Sequence, residues 1–265
     1  MGHTYQHIKF TFEDGVGCIV LNRPDTLNSF TQVMHEDIRA ALDFMEAQEG
    51  LRGLIITGTG RGFCAGQDLS ERKPLAAGER RDLSQGLESN YKPLVLRLRA
   101  LPVPVVCIVN GVAAGAGASV ALACDVVYAV RSARFIQAFA RIGLLPDAGA
   151  TYVWPRRVGT QRAMGAALFA EPVSAEQAEQ WGLIWRCVPD EELDSTIAAV
   201  QARLAGGATR AWAATKQALY ASGGNSLEAQ LNLERDLQKE LGYTEDYLEG
   251  MKAFAEKRPA RFTGR

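Results

Sequence analysis

Short apolar runs in the first part of the chain predict β-strands. Residues 10–12 and 17–21 form two such runs on either side of an Asp14-Gly15 pair, a pattern that is typical of a β-hairpin. The run 54–57 is again apolar and ends in a glycine-rich loop, which predicts a buried strand. We therefore expect an N-terminal hairpin followed by a strand in the core.

Two segments show helical spacing, in which apolar residues recur every three or four positions. A cap at Ser29 or Thr31 can begin the first helix, and the second stops before Pro102 because proline cannot continue a helix. The apolar positions are Met34, Ile38, Leu42 and Met45 in the first segment, and Leu94, Val95, Leu98 and Leu101 in the second. Each stripe is expected to face a hydrophobic core.

Strands and helices alternate through the middle of the chain. The apolar run 105–109 leads through a glycine and alanine turn into a small-residue helix and a strand at 126–130, an order typical of parallel sheets with right-handed crossovers. From residue 150 the pattern is almost wholly helical, over 162–169, 175–181, 193–204, 211–222, 227–241 and 247–257. We predict an α/β core over residues 1–200 and a helical C-terminal segment over 201–265.

The composition is that of an ordinary globular protein. The chain has 265 residues, 47% of them hydrophobic, and a net charge of -1, which gives no electrostatic reason to expect a nucleic-acid or membrane partner. The apolar runs are far shorter than the roughly 20 residues that cross a bilayer, and no leader pattern opens the chain. We therefore expect a cytoplasmic protein.

Cysteines and histidines limit the possible chemistry. The five cysteines are widely spaced without a CxxC pair, which favours reduced thiols and argues against a zinc site. The only histidines are His3, His7 and His35, so chemistry that needs a histidine later in the chain is excluded.

The glycine and alanine turn presents backbone groups. Gly115 and Gly117 leave nothing bulky over the first turn of the next helix, whose free N–H groups favour a negative oxygen. A dinucleotide fingerprint needs glycine where Val120 stands, and a phosphate loop needs a lysine that segment 103–125 lacks. Ser119 lacks both the second glycine of a hydrolase elbow and a later histidine. An oxyanion site remains, and the turn 60–69 can supply its second backbone donor.

Three ordered motifs resemble the enoyl-CoA hydratase/isomerase (crotonase) superfamily: GRGFCAGQDL at 60–69, VNGVAAGAGASVALACD at 109–125 and IGLLPDAGATYVWPRRVG at 142–159. The resemblance runs nearly end to end, since LNRPDTLNSF at 21–30 and SAEQAEQWGLI at 174–184 also fit. It implies a crotonase (ClpP/crotonase-like) α/β fold, a spiral of ββα units with a C-terminal helical oligomerisation segment. It also implies a homotrimer or hexamer, an acyl-CoA thioester substrate and no cofactor, because coenzyme A is part of the substrate.

The resemblance also assigns roles to residues. It implies that the backbone amides of Gln67 and Ala116 bind the thioester oxygen, and that the adenine end of coenzyme A is held by Ala65, Gly66, Gln67, Asp68 and Leu69. The family usually has glycine where Ala116 stands. Alanine can replace glycine except at positive φ, so the amide keeps its role unless the turn needs that conformation.

The acidic positions distinguish between reactions. Hydratases of the family place two glutamates across the thioester, where this sequence has Ser119 and Phe139, and neither side chain can activate water. Asp147 falls where isomerases of the superfamily keep their single acid, although an aspartate in this context is otherwise typical of a turn or helix cap. We expect apolar walls around Asp147 from Phe139, Leu144 and Leu145.

Other polar residues are expected to be structural. Asp68 can cap the helix that follows the first turn, and Asp125 can tie down a strand. Asn110 can orient the glycine turn or touch the substrate, and the structural role is favoured. Lys257 and Arg258 are either solvated charges at a helix end or contacts of the coenzyme A phosphates.

The resemblance therefore implies an acyl-CoA isomerase in which Asp147 moves a proton while the two amides hold the enolate. The chain resembles family members that convert ring-1,2-epoxyphenylacetyl-CoA to oxepin-CoA in phenylacetate degradation. Isomerisation of 3-enoyl-CoA to 2-enoyl-CoA is also expected. A 2-enoyl-CoA hydratase using Asp147 with a water and a non-catalytic acyl-CoA-binding subunit are the alternatives. The acyl pocket is expected to involve Phe139, Ile142 and the loop 73–84.

Overall fold

Two β-sheets form the centre of the protein in a computed structural model that describes residues 4–71 and 80–265. The strands in chain order are β1 Ile8–Glu13, β2 Val16–Leu21, β3 Gly53–Gly58, β4 Gly62–Cys64, β5 Val105–Val109, β6 Val112–Ala114, β7 Val126–Val130, β8 Arg134–Ile136, β9 Val173–Ser174 and β10 Arg186–Val188. The larger sheet has the order β1-β2-β3-β5-β7-β10, and the smaller has the order β4-β6-β8-β9. Residues 73–79 of the loop expected to line the acyl pocket lie outside the described residues.

The strand pairing confirms the predicted hairpin and the α/β architecture. Strands β1 and β2 pair antiparallel, and Asp14 and Gly15 take positive φ angles of 52° and 77° in the turn between them. From β2 to β10 the larger sheet is parallel. Three successive strand pairs, β3 and β4, β5 and β6, and β7 and β8, place their first strand in the larger sheet and their second in the smaller.

The helices cover these sheets and make up the C-terminal region. They are α1 Gln32–Glu46, α2 Ser84–Gly86, α3 Lys92–Ala100, α4 Ala116–Ala123, α5 Ala150–Val158, α6 Thr160–Phe169, α7 Ala175–Gln180, α8 Leu193–Gly206, α9 Thr209–Ser222, α10 Leu227–Leu241 and α11 Glu245–Glu256, with a π-helical segment, Leu87–Tyr91, joining α2 to α3. Thr31 is the cap of α1, since its Oγ1 accepts a hydrogen bond from the Met34 amide at 3.1 Å. Among the described residues, no helix is both long and apolar enough to cross a membrane.

Helix α4 lies at the centre of the fold because its residues are small. All eight of its residues are buried, and Gly115, which precedes it, donates from its amide to the Ile136 carbonyl of β8 at 2.9 Å. Burial on every side is typical of a helix enclosed by the core. The hydrogen bond from Gly115 to β8 thereby fixes the position of the N-terminus of α4.

Two short strands interrupt the predominantly helical region after residue 150, in the gaps between the segments predicted as helices. Strands β9 and β10 have only two and three residues, too few to show the alternation that predicts a strand. Helix α5 contains Pro155 and lies before the first of the predicted helical segments, which begins at residue 162. Helix α8 crosses position 200 without a break, and the division into segments 1–200 and 201–265 stays a prediction.

The structural interpretation of Asp125 and Asn110 is confirmed. The Asp125 carboxylate accepts a hydrogen bond from the Val105 amide at 2.8 Å and pairs with the Lys216 ammonium at 2.9 Å. Asn110 accepts from the Gly58 amide at 3.1 Å through its side-chain oxygen and so ties the end of β3 to the turn after β5. All five cysteines lie within the described residues and are free thiols.

A buried histidine makes stability depend on pH. His35 in α1 is 4% exposed, its ring stacks on Phe30, and burial together with the nearby charge of Arg39 lowers its pKa to about 4. An unfolded histidine has a pKa of about 6.5, so the unfolded chain binds the extra proton between these two values. The contribution of the neutral, buried His35 to the free energy of unfolding is therefore complete above about pH 6.5, and it is lost as the pH falls towards 4.

We expect His35 to account for about 2.5 kcal/mol of the stability lost between pH 7 and pH 4.5. Urea unfolding at the two pH values measures this loss. His35→Phe keeps a ring against Phe30 but cannot titrate, so it should lose correspondingly less over the same interval. Equal losses in the two proteins would contradict the assignment.

Candidate active site

A cleft of about 300 Å³ brings together most of the predicted site residues. It lies between the turn that follows β4, the N-terminus of α4 and the segment 138–147. Six of the seven predicted residues line it: Ala65, Gly66, Gln67, Leu69, Ala116 and Asp147. The cleft also contains Phe139 and Ile142, as expected for the acyl pocket.

The first turn is held by two backbone hydrogen bonds on either side of Gln67. The Phe30 amide donates to the Gly66 carbonyl at 2.7 Å, and the Asp68 amide donates to the Phe30 carbonyl at 2.9 Å. Within residues 4–71 and 80–265, the Gln67 amide between them has no acceptor. This pairing leaves the Gln67 N–H available to a ligand in the cleft.

The second turn supplies a similar amide. Gly115 takes the positive φ angle, 52°, and Ala116 is the first residue of α4 with an ordinary helical φ. In the part of the chain that the structure describes, the Ala116 amide also donates to no protein acceptor. The positive φ angle that favours glycine therefore falls on Gly115. Ala116 does not need a positive φ, so an alanine fits at this position.

Two glycines allow the turns to approach each other. A Cβ on Gly66, whose φ is 96°, would lie 3.0 Å from the Ala114 carbonyl oxygen and 3.4 Å from the Ala116 nitrogen. A Cβ on Gly117 would lie 2.3 Å from the carbonyl oxygen of Cys64 and 2.7 Å from its Cβ. Larger residues at either position would separate the two amides.

We expect Gly117→Ala to lower the free energy of unfolding by about 1–3 kcal/mol, since the added methyl group overlaps backbone atoms that cannot move aside. Thermal unfolding measures this effect. Gly165→Ala in α6 is a matched control, because the space around its Cβ is open and alanine favours a helix by about 0.5–1 kcal/mol. A Gly117→Ala protein as stable as wild type would show that α4 can move away from β4.

Asp147 lies in the cleft and is partly buried. It is the one carboxylate among the cleft-lining residues that the structure describes. Phe139 and Leu144 also line the cleft, as expected, but Leu145 is 72% exposed and the prediction for it was wrong. Adjacent side chains in this non-helical segment leave the backbone on different sides, so Leu145 faces outward.

No carboxylate occupies either position at which hydratases of the family place glutamates. Ser119 is 1% exposed and its hydroxyl donates to the Gly115 carbonyl at 3.2 Å inside α4. Phe139 is 7% exposed and presents an apolar ring to the cleft. The cleft therefore combines two backbone donors, one carboxylate and apolar walls.

Asp68 does not line the cleft. Its carboxylate accepts from the Ser70 amide at 3.0 Å and pairs with the Arg23 guanidinium at 2.9 Å. The hydrogen bond from the Ser70 hydroxyl, followed by that from Arg23, holds the pKa of Asp68 below its usual value. This geometry confirms the predicted cap, here of the short 3₁₀ turn Leu69–Glu71.

Arg258 forms ion pairs with two glutamates of the helix α11, which it follows. It pairs with Glu249 and Glu256 at 2.6 Å each, while Lys257 lies exposed at the end of α11. The ion pairs raise the pKa of Arg258 and lower that of Glu249 to about 2. The interpretation of these residues as charges of a helix end accounts for both.

Sequence reasoning missed the residues that cover the cleft from the helix before α3. Gly86, Leu87 and Tyr91 line it, and the Tyr91 hydroxyl donates to the Gln67 side-chain oxygen at 2.8 Å. Leu83 also lines the cleft and belongs to the loop 73–84 that was expected to form the acyl pocket. No motif marks this helix. The four-residue spacing of Leu87 and Tyr91 was the only available signal.

The two backbone donors, the single carboxylate and the apolar walls are features that suit a carbonyl oxygen that gains negative charge. The enoyl-CoA hydratase/isomerase family model matches residues 11–265, and the chain belongs to this family, the crotonases. Enzymes of the family act on CoA thioesters and need no cofactor beyond the coenzyme A of the substrate.

Individual relatives cover the whole chain. The chain is 48% identical to 1,2-epoxyphenylacetyl-CoA isomerase of Escherichia coli, over 96% of this chain and 97% of that protein. It is 47% identical to a protein of Rhodobacter capsulatus named probable enoyl-CoA hydratase, over 99% and 100% of the two chains. The crystal structure of enoyl-CoA hydratase from Bacillus anthracis matches with a TM-score of 0.90 at 30% identity, covering 98% of this chain and 100% of that one.

Proposed function

We propose that this protein is an acyl-CoA isomerase that converts ring-1,2-epoxyphenylacetyl-CoA to oxepin-CoA in phenylacetate degradation and also moves a 3-enoyl double bond to the 2 position. The observation that carries the proposal is the cleft with Asp147 as its carboxylate and two backbone donors that have no acceptor among residues 4–71 and 80–265. The 48% identity to an isomerase of that substrate supports the choice of acyl group.

The 3-enoyl reaction needs one base and a stabilised oxygen. The Asp147 carboxylate takes a proton from the carbon next to the thioester carbonyl, and the electron pair delocalises onto the carbonyl oxygen. The amides of Gln67 and Ala116 donate to that oxygen while its charge is largest. Asp147 then returns the same proton to the γ carbon, so the double bond moves and no atom is gained or lost.

The epoxide reaction can use the same proton transfer. The bond between the two epoxide carbons opens, with release of the strain in the three-membered ring, and the oxygen stays bonded to both carbons in a seven-membered ring. Asp147 then takes the proton from the carbon between the ring and the thioester and returns it to the γ carbon in the ring, so the double bond comes into conjugation with the thioester and no atom is gained or lost. Apolar walls such as Phe139 suit an aromatic-derived ring and limit the access of water.

A 2-enoyl-CoA hydratase remains the second candidate because the Rhodobacter capsulatus relative carries that name. Its chemistry requires a water activated in the cleft. Ser119 and Phe139 replace the two glutamates, so only Asp147 could hold such a water among the cleft residues that the structure describes. The third candidate is a non-catalytic subunit that binds acyl-CoA.

A substrate panel with the unmodified protein distinguishes these functions. We expect turnover of the ring-epoxide thioester and of a 3-enoyl-CoA, with very little hydration of crotonyl-CoA. Substantial hydration would favour the hydratase. Binding of all three thioesters without turnover would favour the non-catalytic subunit.

We also propose that the protein is a cytoplasmic homotrimer or hexamer assembled through its C-terminal segment. The last two helices carry apolar side chains that are at least half exposed, and these are Leu227, Leu231, Tyr247, Leu248, Met251 and Phe254. Exposed apolar side chains grouped in one region are typical of a surface that contacts another protein. Light scattering of the purified protein measures the mass, and a monomer would contradict this assembly.

A further inference from the structure

The side chain of Gln67 is fixed at both ends of its amide group. Its nitrogen donates to the Phe30 carbonyl at 3.0 Å, and its oxygen accepts from the Tyr91 hydroxyl at 2.8 Å. The backbone of the same residue forms an isolated bridge with Phe30. Gln67 is thus tied to the core through Phe30 and to the covering helix through Tyr91.

Tyr91 is itself firmly placed. It is 5% exposed, and its ring meets the rings of Phe30 at 5.6 Å and His35 at 4.6 Å, both edge to face. It is the last residue of the π-helical segment that joins α2 to α3. A π-helical turn carries one more residue than an α-helical turn and is frequent at functional sites.

The backbone next to the Gln67 amide is held by the same neighbour, Phe30. Gly66, which precedes it, has a φ of 96° and no side chain, and the carbonyl of the Gly66–Gln67 peptide accepts a hydrogen bond from the Phe30 amide at 2.7 Å. The direction of the Gln67 N–H decides whether it points at the thioester oxygen. A restraint on the Gln67 side chain also restrains this peptide.

We infer that Tyr91 is a positioning residue, whose hydroxyl holds the Gln67 side chain so that the Gln67 backbone amide points at the thioester oxygen. This inference rests on the proposed function, in which that amide is an oxyanion donor. Tyr91 acts through Gln67 and not on the reacting atoms. Its hydroxyl should therefore affect every thioester that uses the two amides, whatever the acyl group.

A chromophoric thioester reports on the amides directly. The absorption of a p-dialkylaminocinnamoyl-CoA shifts to longer wavelength when its carbonyl oxygen accepts strong hydrogen bonds, because charge moves from the amine to that oxygen. Tyr91→Phe keeps the ring against Phe30 and His35 and removes only the hydroxyl. We expect a smaller red shift, with kcat about tenfold lower for both the epoxide and the 3-enoyl thioester and KM unchanged.

Gln67→Met tests the same hydrogen bond from its other end. It should lower kcat at least as much as Tyr91→Phe, because it removes the hydrogen bond from Tyr91 and also the one to the Phe30 carbonyl. The double variant should be no worse than Gln67→Met alone. Tyr128→Phe is the matched control, since Tyr128 is a partly buried tyrosine of β7 outside the cleft. Thermal unfolding should give similar midpoints for Tyr91→Phe and Tyr128→Phe.

Each contrary result has a distinct meaning. A full red shift and wild-type kcat in Tyr91→Phe would overturn the positioning role while leaving the proposed function intact. Loss of epoxide turnover alone would also overturn it, because the hydroxyl would then act on the epoxide oxygen. The absence of any red shift in the wild-type protein would overturn the oxyanion assignment and this inference with it.

Discussion

Asp147→Asn is expected to lower kcat for 3-enoyl-CoA isomerisation by roughly 10²- to 10⁴-fold, the usual contribution of a positioned general base. Asparagine has the same shape but no basic oxygen, and no other cleft-lining carboxylate in the described ranges can replace it. The conjugated 2-enoyl product absorbs in the ultraviolet, so the rate is measured directly. Titration with a saturated acyl-CoA should show nearly unchanged affinity, because the amides and the cleft walls remain.

Asp194→Asn provides the matched control for Asp147→Asn. Asp194 is an exposed aspartate in the first turn of α8, outside the cleft, and its loss should leave the rate near that of wild type. If Asp147→Asn isomerised the 3-enoyl thioester at the wild-type rate, Asp147 would not be the base. The aspartate would then keep only a structural role at the start of α5.

Ala116→Pro is expected to lower kcat by about 10²- to 10³-fold, as the loss of one oxyanion donor does in other enzymes. Proline has no N–H, and its fixed φ suits the first position of a helix, so α4 should persist. Gly115 before it has φ 52° and ψ −129°, the mirror image of the extended conformation that a residue before proline prefers. Steady-state kinetics and circular dichroism together check the result.

Two comparison variants accompany Ala116→Pro. Thr160→Pro makes the same change at the first residue of α6, which also follows a glycine of positive φ, and it lies outside the cleft. Ala116→Gly retains the N–H and should keep most of the activity that proline removes. Wild-type kcat in Ala116→Pro would show that the Ala116 amide does not bind the thioester oxygen.

The parts of the fold and site that could be predicted are those with local patterns. The hairpin was visible in Asp14-Gly15, and the parallel strands were visible in their apolar runs. The meeting of Gln67 with Ala116 was predicted only through the family motifs, because no spacing rule places two turns from different strand pairs against each other. The structure explains their approach by Gly66 and Gly117.

The parts that could not be predicted depend on contacts between distant segments. Tyr91 meets Gln67 across 24 positions of the chain, and a π-helical turn leaves no signature in the apolar spacing. Strand β10 has three residues and exists because β7 offers an unpaired edge. The direction of the Leu145 side chain was predicted wrongly, because an irregular segment has no period from which a direction can be derived.

The close packing of Gly117 against Cys64 also has a consequence for how the enzyme gains activity during folding. The two amides belong to consecutive strand pairs, β3 with β4 and β5 with β6, and neither pair contains a complete site. A chain in which each pair had formed separately would have native-like secondary structure and no catalysis. Recovery of activity on refolding should therefore follow the docking of the two pairs, later than the return of the helical and strand signals.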